Sequence, residues 1–286
     1  TIIAFIIFSA IYLLSISEKG KEFIRKYSSN PIIISLIMIV SINLLYMLTK
    51  SSISLDFIFK STIAFLIPLV FFLLNKEQEK FHITDILGLI IGLLVVMLKL
   101  IDVKLIAYQD VIGFNLGYSF IVLYLLFVFV GYRKLDLGLN FQINLRMLAQ
   151  TLGLALIVIM IDIILGLNLQ FISFPQSLNI DFKNLVLYSI SMLFFATLSE
   201  ELFFRGLLLN YIKQFTGKYG NVIALIISSL IFGATHLGKF PVSMFLLATI
   251  AGIFYGLVYI RTKNLICAAI IHTLTNLCWK LFFITN

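Results

Sequence analysis

The stretch "LVLYSISMLFFATLSEELFFRG", residues 185–206, is uncharged from Leu185 to Ser199 and then meets Glu200, Glu201 and Arg205. A helix of about 20 apolar residues spans a bilayer core of roughly 30 Å. Runs of this kind recur along the chain, at 1–17, 31–49, 57–75, 86–101, 111–131, 147–167, 185–212, 221–237, 240–260 and 264–284. Over 286 residues the composition is 61% hydrophobic and 12% charged, with a mean hydropathy of +1.10. A water-soluble domain of that length needs far more polar residues to cover its surface. The fold class expected is all-α: a polytopic transmembrane helical bundle of about 8–10 membrane helices, segments 86–101 and 221–237 being short for a full span.

The net charge of +8 does not indicate nucleic acid, because the Lys and Arg residues are spread through the loops. They act instead as a topology signal, since cytoplasmic loops carry an excess of Lys and Arg. Numbering the connections in order, the odd ones hold thirteen basic residues and the even ones five. This bias predicts alternation through ten spans with both termini outside. The first run, 1–17, has neither a basic start nor a small-residue cleavage site and is expected as a membrane helix rather than a signal peptide. Cys267 and Cys278 fall in the last segment, where packing is their expected role.

The connection "NLQFISFPQSLNIDFKN", residues 168–184, divides the chain by the distribution of polar groups. Before it, ionisable residues lie in loops or near segment ends, as Lys99 and Asp162 do; after it, they lie well inside the segments. The division expected is an amino-terminal transmembrane region, 1–183, and a catalytic helical core, 184–286.

Glu201 and Arg205 are four apart, so they share a helix face and can pair. Ion pairing for packing alone accounts for these two and leaves Glu200 unexplained. Three charges at mid-bilayer cost about 2.5–3.5 kcal/mol each, more than a packing device needs. His236 closes "FGATH", and His272 and Asn276 in "HTLTN" again share a face. Each alone reads as interhelical hydrogen bonding. Counted from the charged or glycine-marked ends of their segments, Glu200, His236 and His272 lie about 20, 24 and 14 Å deep at 1.5 Å per residue. Three helices thus bring a carboxylate and two imidazoles to overlapping depth. A carboxylate beside an imidazole in a low-dielectric site suits general-base activation of water. An imidazole with an amide suits an oxyanion. With no Ser or Cys standing out as nucleophile, the residues point to an intramembrane hydrolase of an amide or ester.

"EELFFR" (Glu200–Arg205), "FGATH" (Phe232–His236) and "HTLTN" (His272–Asn276) resemble the motifs EExxxR, FxxxH and HxxxN of the CPBP family, the CAAX proteases and bacteriocin-processing enzymes also known as the Abi family. The resemblance covers residues 184–286. It implies a helical intramembrane endopeptidase with a cavity open toward the cytosol. Its substrate would be a membrane-associated peptide or a lipidated protein carboxy terminus, and it would have no nucleic-acid partner. It implies Glu200 as the base assisted by His236, and His272 and Asn276 as oxyanion donors. Glu201 and Arg205 would shape the site, with Arg205 a candidate for binding a substrate carboxylate. Glu200, His236 and His272 also compose a Glu/His₂ set able to ligate zinc. No HExxH helix is present, and the metal-free mechanism is favoured, with no cofactor. The alternative function is a non-catalytic bacteriocin self-immunity or peptide-binding membrane protein of the same family, which loss of a motif residue would have favoured. A proton-coupled transporter would show internal repeats and interrupted helices.

Overall fold

The computed structural model describes residues 17–50, 52–107, 112–175, 182–237 and 241–285. Segment 1–17 lies, apart from Ser17, outside the described residues. The chain divides into two compact units, residues 1–136 and 137–286. Packing therefore groups residues 137–183 with the motif-bearing helices.

The first unit begins with a short surface helix, α1 (Glu18–Tyr27), capped by Ser17 Oγ accepting from the Gly20 amide at 3.0 Å. Glu18 in its first turn and Arg25 and Lys26 in its last complement the helix dipole. Two full-length apolar helices follow, α2 (Pro31–Lys50) and α3 (Leu55–Leu73). Next comes α4 (Asp85–Met97), whose 13 residues reach only about 20 Å. A small antiparallel hairpin, β1 (Lys104–Ala107) with β2 (Ile112–Asn115), leads into α5 (Leu116–Leu126), which ends in a π-helical stretch, Phe127–Tyr132. One buried ion pair ties this unit together. Arg133 and Asp85 side chains are both 0% exposed and meet at 2.8 Å. The guanidinium also donates to the Phe72 and Glu77 carbonyls at 3.0 Å each, satisfying donors that would otherwise be stranded.

The second unit opens on a hook. Gly138 sits at φ +72°, where a Cβ would lie 2.5 Å from the Lys263 carbonyl oxygen, so only glycine fits there. Its carbonyl accepts from the Leu265 amide at 2.9 Å, and Asn264 Nδ2 donates to the Asn140 carbonyl at 3.1 Å. Five helices follow. The first, α6 (Leu145–Asn168), buries Thr151, Ala155, Val158, Asp162 and Gly166, while Leu152, Leu156, Met160 and Ile164 point outward. Small and polar residues inside with large apolar ones outside is the pattern of a helix packed in lipid. Next is α7, a continuous run of α-helix (Phe182–Ser191), π-helix (Met192–Thr197), α-helix (Leu198–Glu201), π-helix (Leu202–Leu209) and α-helix (Asn210–Phe215). A 3₁₀ turn, Gly217–Tyr219, precedes α8 (Gly220–Ala234); α9 (Val242–Thr262) and α10 (Leu265–Phe282) complete the set. A two-residue ladder, β3 (Ile172–Ser173) with β4 (Ile284–Thr285), joins the end of α6 to the tail of α10.

Among the described residues, seven helices are long and apolar enough to cross a membrane, and α4 and the α5 segment are shorter apolar helices. The all-α polytopic bundle expected from composition is thus the fold observed. Close packing in the second unit depends on α8 and α9 touching. A Cβ at Gly233 would strike Thr249 Oγ1 and lie 2.7 Å from the Phe245 carbonyl, and one at Gly256 would strike Leu225.

Candidate active site

Helix α7 carries Glu200, Glu201 and Arg205 in and just after the short α-helical turn between its two π-helical stretches. Widened turns of this kind concentrate at functional sites, because they break the regular i→i+4 register and re-aim side chains. Thr197, at the end of the first stretch, shares a hydrogen bond with Thr273 Oγ1 at 2.8 Å and ties α7 to α10.

Behind the site lies a fully buried ionic cluster. Glu201 and Arg205 side chains are 0% exposed, and Arg205 Nη1 donates to Glu201 Oε1 at 2.9 Å. Arg205 Nη2 donates to the Gly252 carbonyl of α9 at 2.9 Å. Its guanidinium also lies over the Phe232 and Tyr255 rings, at 4.9 and 5.4 Å from their centroids. The same Glu201 oxygen meets His272 Nδ1 at 2.8 Å. An ionised carboxylate only accepts, so the Nδ1–H donates and Nε2 is the nitrogen left for other work. Tyr255 stacks on the His272 ring, with centroids 4.5 Å apart and planes at 20°, which fixes its orientation. His272 is thereby held on three sides: a carboxylate, an aromatic face and its own helix.

Nε2 of His272 is 3.8 Å from Glu200 Oε2, too far for a direct hydrogen bond and close enough for both groups to reach one bound molecule from the same wall. Glu200 stands outside that buried cluster, its side chain 31% accessible. His236 follows α8, and its Nδ1 lies 3.0 Å from the Phe232 carbonyl. A carbonyl also only accepts, so Nδ1 carries the proton and Nε2 of the neutral ring is an acceptor. Glu200, His236, His272 and Asn276 all line one cavity of about 630 Å³, together with Asp162 of α6 and Trp279 of α10.

Four of the six residues singled out from sequence therefore share one cavity wall. Glu201 and Arg205 stand behind it, and Arg205 has no exposed surface with which to meet a substrate carboxylate. Among the described residues, no three His, Cys, Asp or Glu side chains gather into a group able to hold a metal ion, so Glu200, His236 and His272 do not fit a zinc site in this arrangement. Sequence reasoning missed Tyr255, whose stacking role leaves no motif. It also placed Asp162 near a segment end, whereas the residue is 1% exposed and belongs to the cavity. The signal was there, a carboxylate inside the run 147–167.

Residues 182–278 match the family model described as "Type II CAAX prenyl endopeptidase Rce1-like". No curated protein and no solved structure matches the chain. The matched region contains all three motifs and the helices that bring their side chains to the cavity. Residues 182–278 of this multi-pass membrane protein are thus similar to the type II CAAX prenyl endopeptidase family, over the same helices that carry the three motifs.

Proposed function

We propose that the chain is an intramembrane endopeptidase that adds water, activated by Glu200, to a peptide bond near the membrane. The observation that carries this reading is the sorting of the cavity wall into acceptors and donors. Glu200 and His236 Nε2 are acceptors able to hold a water by both its hydrogens. His272 and Asn276 are one helical turn apart on α10 and can donate toward a substrate oxygen in the same cavity.

The steps follow from that arrangement. The water oxygen attacks the scissile carbonyl carbon while Glu200 takes a proton from it. The carbonyl oxygen becomes an oxyanion, which accepts from Asn276 Nδ2–H and from Nε2–H of His272. That donation requires a hydrogen on Nε2 in addition to the Nδ1–H held by Glu201. Collapse of the tetrahedral intermediate breaks the C–N bond, and Glu200 returns its proton to the departing amine. Glu201 and Arg205 touch no reacting atom; they position His272.

The catalytic core is residues 184–286, to which α6 adds Asp162. The substrate is a membrane-associated peptide, of which a prenylated protein carboxy terminus is the kind the family description suggests. The surplus of basic residues on odd connections supports a site open toward the cytoplasm. Purified protein in lipid nanodiscs, incubated with prenylated and unprenylated peptides and followed by mass spectrometry, tests the reading. New peptide termini are expected from the prenylated set. An intact peptide pool after prolonged incubation contradicts the proposal.

A further inference from the structure

Two polar atoms of the cavity wall lack partners, and the mechanism uses neither. Asp162 on α6 is 1% exposed, and its Oδ1 is buried with no hydrogen-bond partner. Trp279 on α10 has its indole Nε1 buried and likewise without a partner. Both residues line the same cavity as Glu200 and His272. Buried polar groups in proteins are almost always paired, and a carboxylate without a cation at membrane depth marks function rather than packing. One atom is an acceptor and the other a donor. An extended peptide offers the complementary set, an amide N–H and a carbonyl.

We infer that Asp162 and Trp279 form a backbone-reading subsite, in which Asp162 Oδ1 accepts a peptide N–H and Trp279 Nε1–H donates to a peptide carbonyl of the bound substrate. The inference rests on the reading of the cavity as a peptide site. Both residues line the cavity, and presenting these two atoms to a peptide takes a side-chain rotamer change of the kind that commonly accompanies binding. The location follows from α10. Trp279 is seven residues beyond His272, about 10 Å along the helix axis. An extended peptide covers that distance in about three residues at 3.3–3.6 Å each. The subsite therefore reads a peptide unit about three residues from the scissile bond. Because backbone groups are common to all sequences, it selects for an extended chain and not for particular side chains.

The protein has a single Trp, so its emission reports on this subsite alone. Wild-type protein in nanodiscs is titrated with a series of prenylated peptides in which each amide in turn is replaced by an ester, which removes one N–H. Binding is read from Trp279 emission and cleavage from the rise of products. One ester position, about three residues from the cut, should weaken binding about fivefold or more, the scale of one buried hydrogen bond. In Asp162→Leu that position should cease to matter, with Asp162→Asn as the isosteric control of folding. Trp279→Phe, which keeps a ring against Phe171, should raise KM and leave kcat nearly unchanged. If peptides bind or are cut and no ester position matters, the subsite is wrong and the protease reading stands. The subsite is equally wrong if the ester effect persists undiminished in Asp162→Leu. If no peptide changes the emission and none is cut, the peptide-site reading falls and this inference with it.

Discussion

Arg205→Ala is the perturbation that most sharply tests the buried cluster. Glu201 and Arg205 are both 0% exposed, so nothing from solvent replaces the guanidinium when it is removed. The substitution deletes the 2.9 Å ion pair, the 2.9 Å bond to the Gly252 carbonyl and the contacts over Phe232 and Tyr255. It leaves Glu201 with His272 as its remaining partner. Breaking one side of a buried pair costs about 3–5 kcal/mol, chiefly through the stranded charge. A unit of roughly 150 residues loses about 2–4 °C in melting midpoint per kcal/mol, so the midpoint should fall by roughly 6–20 °C. The assay is thermal unfolding in detergent, followed by Trp279 emission and by size-exclusion recovery. The double substitution Glu201→Gln with Arg205→Met removes both charges and keeps the volume, and it should cost less than the two single changes added together. A single-variant loss below about 1 kcal/mol would show that Arg205 sits in water, and strict additivity would show that the two residues do not act as a pair.

With Asn276 the oxyanion donor proposed above, Asn276→Ala should lower kcat by about 10²–10³ with KM and melting nearly unchanged; an equal loss in melting would make Asn276 a packing residue. Gly233→Val places atoms against Thr249 and the Phe245 carbonyl, and overpacking of that kind typically costs about 1–3 kcal/mol. A wild-type melting curve for that variant would contradict the close crossing of α8 and α9. Because Glu200, His236 and His272 do not gather as a metal set, strong chelators should leave the cleavage rate unchanged and purified protein should hold no stoichiometric zinc. Activity lost on chelation and restored by zinc would overturn that expectation.

The long helices were legible because a bilayer sets one length scale and the apolar runs match it, as 147–167 matches Leu145–Asn168. The i, i+4 spacing of Glu201 and Arg205 also led directly to a contact present at 2.9 Å. What the spacing did not carry is which glutamate serves which partner. Depth along separate helices brought Glu200 and His272 near each other, yet it is Glu201 that holds His272 Nδ1. That outcome depends on how α7 is rotated, and its π-helical stretches, Met192–Thr197 and Leu202–Leu209, change the rotation without a sequence signature. Asp162 was misread because its distance from the end of an apolar run says nothing about which side of the helix packs inward. Its neighbours in the buried stripe, Val158 and Gly166, settle that only once α6 is seen against α9 and α10. Trp279 belongs to none of the three motifs, and only the structure brings its ring to 5.5 Å from Phe171 beside the cavity.

Whether Glu200 delivers water to a peptide bond can be measured without intermediaries. A prenylated peptide is cleaved in ¹⁸O-enriched water by purified wild-type and Glu200→Gln proteins in nanodiscs, and the products are weighed by mass spectrometry. Gln is nearly isosteric and cannot act as the base, so the folded variant isolates the proton transfer, worth typically 10²–10⁴-fold. The wild-type protein should place ¹⁸O in the newly formed carboxylate, and Glu200→Gln should form product at least about a hundredfold more slowly. Equal product formation by the two proteins would remove Glu200 from the role of base.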